Sequence, residues 1–139
     1  MTSRDRWIRR SKTKVPLTID GRAASSTDPS TWASYIAATN STAGVGLGYV
    51  LGDRVGCIDL DHCLVDGTPN KAARDLLTNY PENYIEVSPS GDGLHIFGTA
   101  DEGPGTKQTI NGLSIERYTT GRYITITRNV FQRGRLAAL

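Results

Sequence analysis

The stretch "RVGCIDLDH", residues 54–62, sets two aspartates into an otherwise apolar run. Alternate residues of a β-strand point to opposite faces, so Ile58 and Leu60 turn towards a core while Cys57, Asp59 and Asp61 share the other face. That alternation makes the segment a half-buried strand, and the rest of the chain has to supply the sheet around it. Two carboxylates on one face repel each other unless a proton or a cation lies between them. Mg²⁺ takes oxygen ligands and relies on one or two carboxylates plus substrate phosphates, so a hard divalent ion is one reading of the pair. A strand end meeting water, with Asp61 opening a loop, is the other. An EF-hand is excluded: Cys63 stands where that loop needs its third oxygen ligand, and no Glu lies at the closing position.

Working outward, "GVGLGYVLG" (44–52) reads as a glycine-rich strand that turns at Gly52-Asp53 and pairs with 54–62 as a hairpin. Upstream, Asp28 as N-cap, Pro29 at the first helical position and Trp32, Ile36 and Ala37 at helical spacing predict a helix. Downstream, "TPNKAARDLLTNY" (68–80) predicts a second helix capped by Thr68 and ended by Pro81. "NYIEVSPSGDGLHIFGTA" (83–100) reads as strand, tight turn, strand, and "LSIERYTTGRYITIT" (113–127) as a hairpin turning near Gly121. The predicted order is β-β-α-β-β-β-β behind an N-terminal helix: an α+β fold with a mainly antiparallel sheet, in a single domain spanning 1–139.

A chain of 139 residues has room for one core, and its apolar fraction of 37% with Gly 15 and Pro 6 points to a turn-rich fold. No run approaches the ~20 apolar residues of a membrane span, and "MTSRDRWIRRSK" is not followed by an apolar signal core, so the expectation is a cytoplasmic protein without a membrane partner. Cys57 and Cys63 are expected to be reduced thiols. The net charge of +2 conceals an asymmetry, because residues 1–14 carry six bases against one acid and residues 128–139 carry three bases and no acid. The middle, 15–127, holds seven bases against 13 acids. An acidic centre holding a divalent cation between basic arms that track a phosphate backbone would suit a nucleic-acid enzyme, although solvated terminal charge has the same composition.

Two further groups carry candidate chemistry. In "SPSGDGLHIF" (88–97), Ser88, Ser90 and the glycines, Gly91 among them, can present hydroxyls and backbone N–H groups to phosphate, and His95 shares a strand face with Phe97. In "LSIERYTTGRY" (113–123), Ser114, Glu116 and Tyr118 share one face and Ile115 and Arg117 the other. Glu116 would make an ordinary salt bridge with Arg117 or Arg122, or, brought beside Asp59 and Asp61, complete a three-carboxylate metal site. Arg122, just past the turn, is then suited to bidentate phosphate contact.

Together the three groups resemble the primase-polymerase domain of the archaeo-eukaryotic primase superfamily, in particular its phage and plasmid replication proteins. "DLDH" (59–62), the Ser-x-His type motif within "SPSGDGLHIF", and "IERY" followed by "GRYITIT" stand in the superfamily's order. The stretches "KVPLTIDGRAASSTDPSTW" and "GVGLGYVLG" also resemble that group's N-terminal portion. One departure is Arg128 after the final "TIT", where these proteins often have Gly.

The resemblance implies an RRM-like sheet with flanking helices joined to an N-terminal α/β portion. It implies Asp59, Asp61 and Glu116 as ligands of two divalent ions, Mg²⁺ or Mn²⁺, and Ser88, Ser90, Gly91 and His95 as contacts to the incoming triphosphate, with Arg122 and Lys14 in addition. The implied activity is template-directed nucleotidyl transfer from dNTP or NTP substrates on a DNA template and primer, with a helicase domain or protein as a possible partner. A non-catalytic single-stranded nucleic-acid-binding module of a replication initiator stands as the alternative, supported by the basic termini. A zinc site from Cys57, His62, Cys63 and His95 has irregular spacing and no C-x-x-C, and no His-x-His pair supports a rolling-circle relaxase.

Overall fold

Asp59 and Asp61 stand at the end of the longest strand in a computed structural model that describes residues 1–139. In chain order the strands are β1 (Trp7–Arg10), β2 (Pro16–Leu17), β3 (Gly46–Val50), β4 (Val55–Asp61), β5 (Leu64–Val65), β6 (Thr68–Pro69), β7 (Ile85–Val87), β8 (Leu94–Thr99), β9 (Thr106–Ile110), β10 (Leu113–Tyr118), β11 (Tyr123–Ile126) and β12 (Val130–Gln132). Helix α1 spans Tyr35–Asn40 and α2 spans Lys71–Leu77. The fold is α+β, with strands paired antiparallel throughout the sheets. No helix is long and apolar enough to cross a membrane.

The chain divides into two compact units, Met1–Leu51 with Gly121–Ile126, and Gly52–Thr120 with Thr127–Leu139. In the first, the sheet order is β11-β3-β1-β2, and Trp7, Ile8, Leu47, Tyr49, Ile124 and Ile126 are buried. Trp7 meets Tyr35 and Tyr49 edge-on at ring separations of 4.8 and 5.1 Å.

The second unit carries a six-stranded sheet, β12-β7-β8-β4-β10-β9. Its alternation follows the reading of residues 54–62. Ile58, Leu60, Ile85, Leu94, Ile96, Leu113 and Ile115 form one buried face, against which Ala72, Ala73, Leu76 and Leu77 of α2 pack. The opposite face carries the polar groups. On the helix-bearing face Gly98 makes room for the chain's end, since a Cβ there would lie 2.3 Å from the Ala137 carbonyl oxygen and 2.7 Å from Leu139.

Several expectations are corrected. Strands β3 and β4 do not pair as a hairpin: β3 lies between β1 and β11, and β4 between β8 and β10. Asp53 and Arg54 have positive φ and Gly52 and Val55 bond to each other, so the turn is tight, but Val50 is committed to Tyr123 and Val55 to Thr99. Nor do β10 and β11 form a hairpin. Strand β10 turns back on β9 through Asn111-Gly112, both with positive φ, the residues that suit a two-residue hairpin turn.

Asp28 does cap, accepting from the Ser30 amide, but the helix it starts is one 3₁₀ turn, Pro29–Thr31. Trp32 is extended there, and Ser34 caps α1 anew. Ile36 is therefore exposed and Ala38 is the buried position. Asn70, not Thr68, caps α2, because Thr68 and Pro69 are taken up by the β5–β6 pair. The basic N-terminal segment is no free arm. Arg6 donates to the Val50 and Leu51 carbonyls and lies over the Trp32 ring, and Arg9 donates to Ala43.

Candidate metal centre and nucleotide site

Antiparallel register places directly opposed side chains on one face about 5 Å apart, so register alone builds a row across the polar face of the second unit. Glu86 stands opposite His95, His95 opposite Asp59, Asp59 opposite Glu116, and Glu116 opposite Lys107. Asp61 lies two residues further along β4, opposite Ser114. One carboxylate oxygen from each of Asp59, Asp61 and Glu116 lies within 4.8 Å of the others. Glu116 is thus on the same side of the sheet as the aspartates.

Burial, then the charges of Asp59 and Glu116, push the Asp61 carboxyl above its ordinary value, and His62 and Lys107 offset this in part. Three carboxylates converging on one point are a group that could hold a cation. The donor set is all carboxylate oxygen, which fits Mg²⁺ or Mn²⁺ and not a soft metal. Cys57 and Cys63 are buried free thiols whose Sγ atoms face backbone carbonyls. Burial lifts both, Cys63 to about 11.

His95 is 4% exposed, with Nε2 3.5 Å from Asp59 Oδ1 and its ring edge-on to Phe97 at 6.3 Å. Its Nδ1 is buried without a hydrogen-bond partner. A buried polar nitrogen left so carries a cost in stability.

The turn between β7 and β8 is tied to the end of β4. The Asp92 carbonyl accepts both the Cys63 and Leu64 amides at 2.8 Å, and its carboxylate takes His62 Nδ1 and the Ser90 hydroxyl at 2.7 Å each. Because Ser90 donates to Asp92, the 2.8 Å contact between the serine hydroxyls has Ser88 donating to Ser90. Both hydroxyl protons run towards Asp92, and the hydrogen bonds lower the Asp92 carboxyl and raise His62. Gly91, with φ +84°, closes the turn by donating to the Ser88 carbonyl at 3.0 Å. Gly93 lets the turn approach β4, as a Cβ would sit 2.6 Å from the Leu60 carbonyl oxygen.

Asp59, Asp61, Glu116, His95 and the Ser88–Gly93 turn therefore all belong to the second unit. Lys14 and Arg122 belong to the first: Lys14 is exposed in the β1–β2 turn, its carbonyl accepting the Tyr123 hydroxyl, and the Arg122 carbonyl accepts the Leu51 amide at 2.9 Å. Glu116 pairs with Lys107, whose Nζ lies 3.2 Å from Oε1, while Tyr118 donates to Oε2 at 2.6 Å.

Sequence reasoning missed Glu86. This fully buried acid accepts from the Tyr84 hydroxyl at 2.6 Å, the Thr127 amide at 2.9 Å and the Arg128 amide at 3.1 Å. The available signal was its position between Ile85 and Val87, which puts an acid on the polar face of a strand whose other face is core.

No protein-family profile matches the sequence. The chain is similar to the DNA primase-polymerase of Nitratiruptor phage NrS-1, with 38% identity over an alignment of 139 positions that covers 90% of this chain. The chain spans 19% of that relative's length.

Proposed function

We propose that residues 1–139 act as one primase-polymerase catalytic domain of the archaeo-eukaryotic primase type, transferring nucleotides from dNTP or NTP to a primer 3′-hydroxyl on a DNA template. The convergence of one oxygen each from Asp59, Asp61 and Glu116 within 4.8 Å carries the reading, and the phage relative supports it. In this reading the six-stranded sheet with α2 on one face corresponds to the superfamily's RRM-like sheet. DNA and a nucleoside triphosphate are the partners, with a helicase as a further one.

Asp59, Asp61 and Glu116 would hold Mg²⁺ or Mn²⁺. Bound there, two such ions would activate the attacking hydroxyl and would neutralise charge on the triphosphate and the leaving pyrophosphate. The chain's own groups bind and orient. His95, beside Asp59, would contact a phosphate oxygen of the incoming nucleotide. Ser88, Ser90 and Gly91 lie in the turn that leads into β8, and on arrival of a phosphate the serine hydroxyls would exchange their bonds towards Asp92 for bonds to it. Lys14 and Arg122 are included as phosphate contacts on the strength of the resemblance. Positioning and charge neutralisation account for most of the rate in such a transfer.

Primer extension by the Asp59→Ala Asp61→Ala variant tests the proposal. Loss of template-directed incorporation with an unchanged circular-dichroism spectrum is expected, and extension at the parent's rate would overturn it. A single-strand-binding module without catalysis would instead show salt-sensitive binding with no requirement for Mg²⁺ or Mn²⁺.

A further inference from the structure

Glu116 has both carboxylate oxygens engaged by groups of the chain itself, the Tyr118 hydroxyl on Oε2 and Lys107 Nζ on Oε1. The two contacts differ in kind. Tyr118 lies on the same strand two residues away, so its hydroxyl fixes the direction of the carboxylate. Lys107 comes from β9, directly opposite Glu116, with a side chain 73% exposed against 15% for the acid. The ammonium reaches in from solvent to the rim of the acid set.

Lys107 thus occupies the electrostatic position that a cation at the three acids would take. A divalent ion coordinated by Glu116 Oε1 meets a unit positive charge beside the same oxygen, and the two cannot both stay there without strong repulsion. An exposed lysine pays little to leave, because its hydrated state is nearly as favourable as the pair.

We propose that Lys107 is a built-in counter-ion of the acid set, which a divalent cation must displace to bind. This rests on the reading of the three acids as a metal site, and it adds that the chain itself sets how tightly they take up the ion. The competing description is a lysine that merely solvates an edge strand.

Mn²⁺ binding, followed in the full chain by the electron paramagnetic resonance signal of the free ion, separates the two without using activity. At low salt, Lys107→Gln should bind Mn²⁺ roughly 2- to 5-fold more tightly than the parent, the fold-change equivalent to breaking one exposed ion pair. The gain should shrink as NaCl is raised. Lys107→Arg, which keeps the charge, should stay near the parent. Lys71→Gln removes an equal charge from α2, where Lys71 pairs with Asp75, and should also stay near the parent. Equal affinity of Lys107→Gln and the parent, or an equal gain in Lys71→Gln, overturns the proposal. Asp59→Ala distinguishes the levels: if it abolishes binding while Lys107→Gln changes nothing, only the role of Lys107 fails. If the parent binds no better than Asp59→Ala, the metal site fails and the role of Lys107 with it.

Discussion

Arg128 holds φ +61°, a left-handed backbone that costs a non-glycine residue about 1 kcal/mol or more. Glu86 explains how it is kept there, because its carboxylate accepts the Thr127 and Arg128 amides at 2.9 and 3.1 Å. In urea unfolding, Arg128→Gly relieves that strain but adds unfolded-chain entropy and gives up the arginine side chain's own interactions, so no net gain in stability is expected. Glu86→Ala removes the acceptor of both part-buried amides and should cost roughly 1–3 kcal/mol in the same measurement. The thiols set a pH dependence at the alkaline side. Cys63 ionises at about 11 folded against an ordinary value of 9.0, so between those values the folded chain retains a proton that the unfolded chain loses. Stability therefore falls as pH rises from 9 towards 11, and urea midpoints for Cys57→Ala Cys63→Ala should fall less steeply over that window.

At the scale of elements, the turn of Ser88–Gly93 and the end of β4 act as a clasp closed by Asp92. Gly93→Ala would force a Cβ to within 2.6 Å of the Leu60 carbonyl oxygen and 2.9 Å of Ser88 Oγ, so turn and strand must part. A loss of roughly 1–3 kcal/mol in thermal unfolding is expected, together with a weaker nucleoside triphosphate Kd by calorimetry. Unchanged affinity would show that the turn does not touch the phosphates. The strand pair around this turn was legible because its sequence alternates on both sides of a Ser-Gly-Asp-Gly turn. The β9–β10 pair carried an equally local signal in Asn111-Gly112, but residues 106–110 are exposed throughout and offer no apolar alternation to mark a strand.

At the scale of the whole molecule, the chain leaves the first compact unit after Leu51, returns to it for Gly121–Ile126 and leaves again. Strand β11 is thus separated by about 70 residues from its partner β3, and nothing local announces the pairing. Divalent ions offer a global readout for the second unit's site. An ion that binds only the folded chain raises its stability by about 2.7 kcal/mol at a hundredfold excess over Kd. Mn²⁺ should therefore raise the melting temperature of the parent and leave that of Asp59→Ala Asp61→Ala unmoved. A shift of equal size in both would place the stabilising ion elsewhere.

The sequence by itself determined the period-two alternation that turns Asp59 and Asp61 away from Ile58 and Leu60, the α+β class, and the β7–β8 turn with His95 beyond it. Each depends on residues a few positions apart, whose geometry a strand or turn imposes. Which strands become neighbours was decided only in three dimensions, because pairing depends on burial and register across dozens of residues. That choice put Glu116 opposite Asp59, brought Lys107 to Glu116, and sent Glu86 to the amides of Thr127 and Arg128.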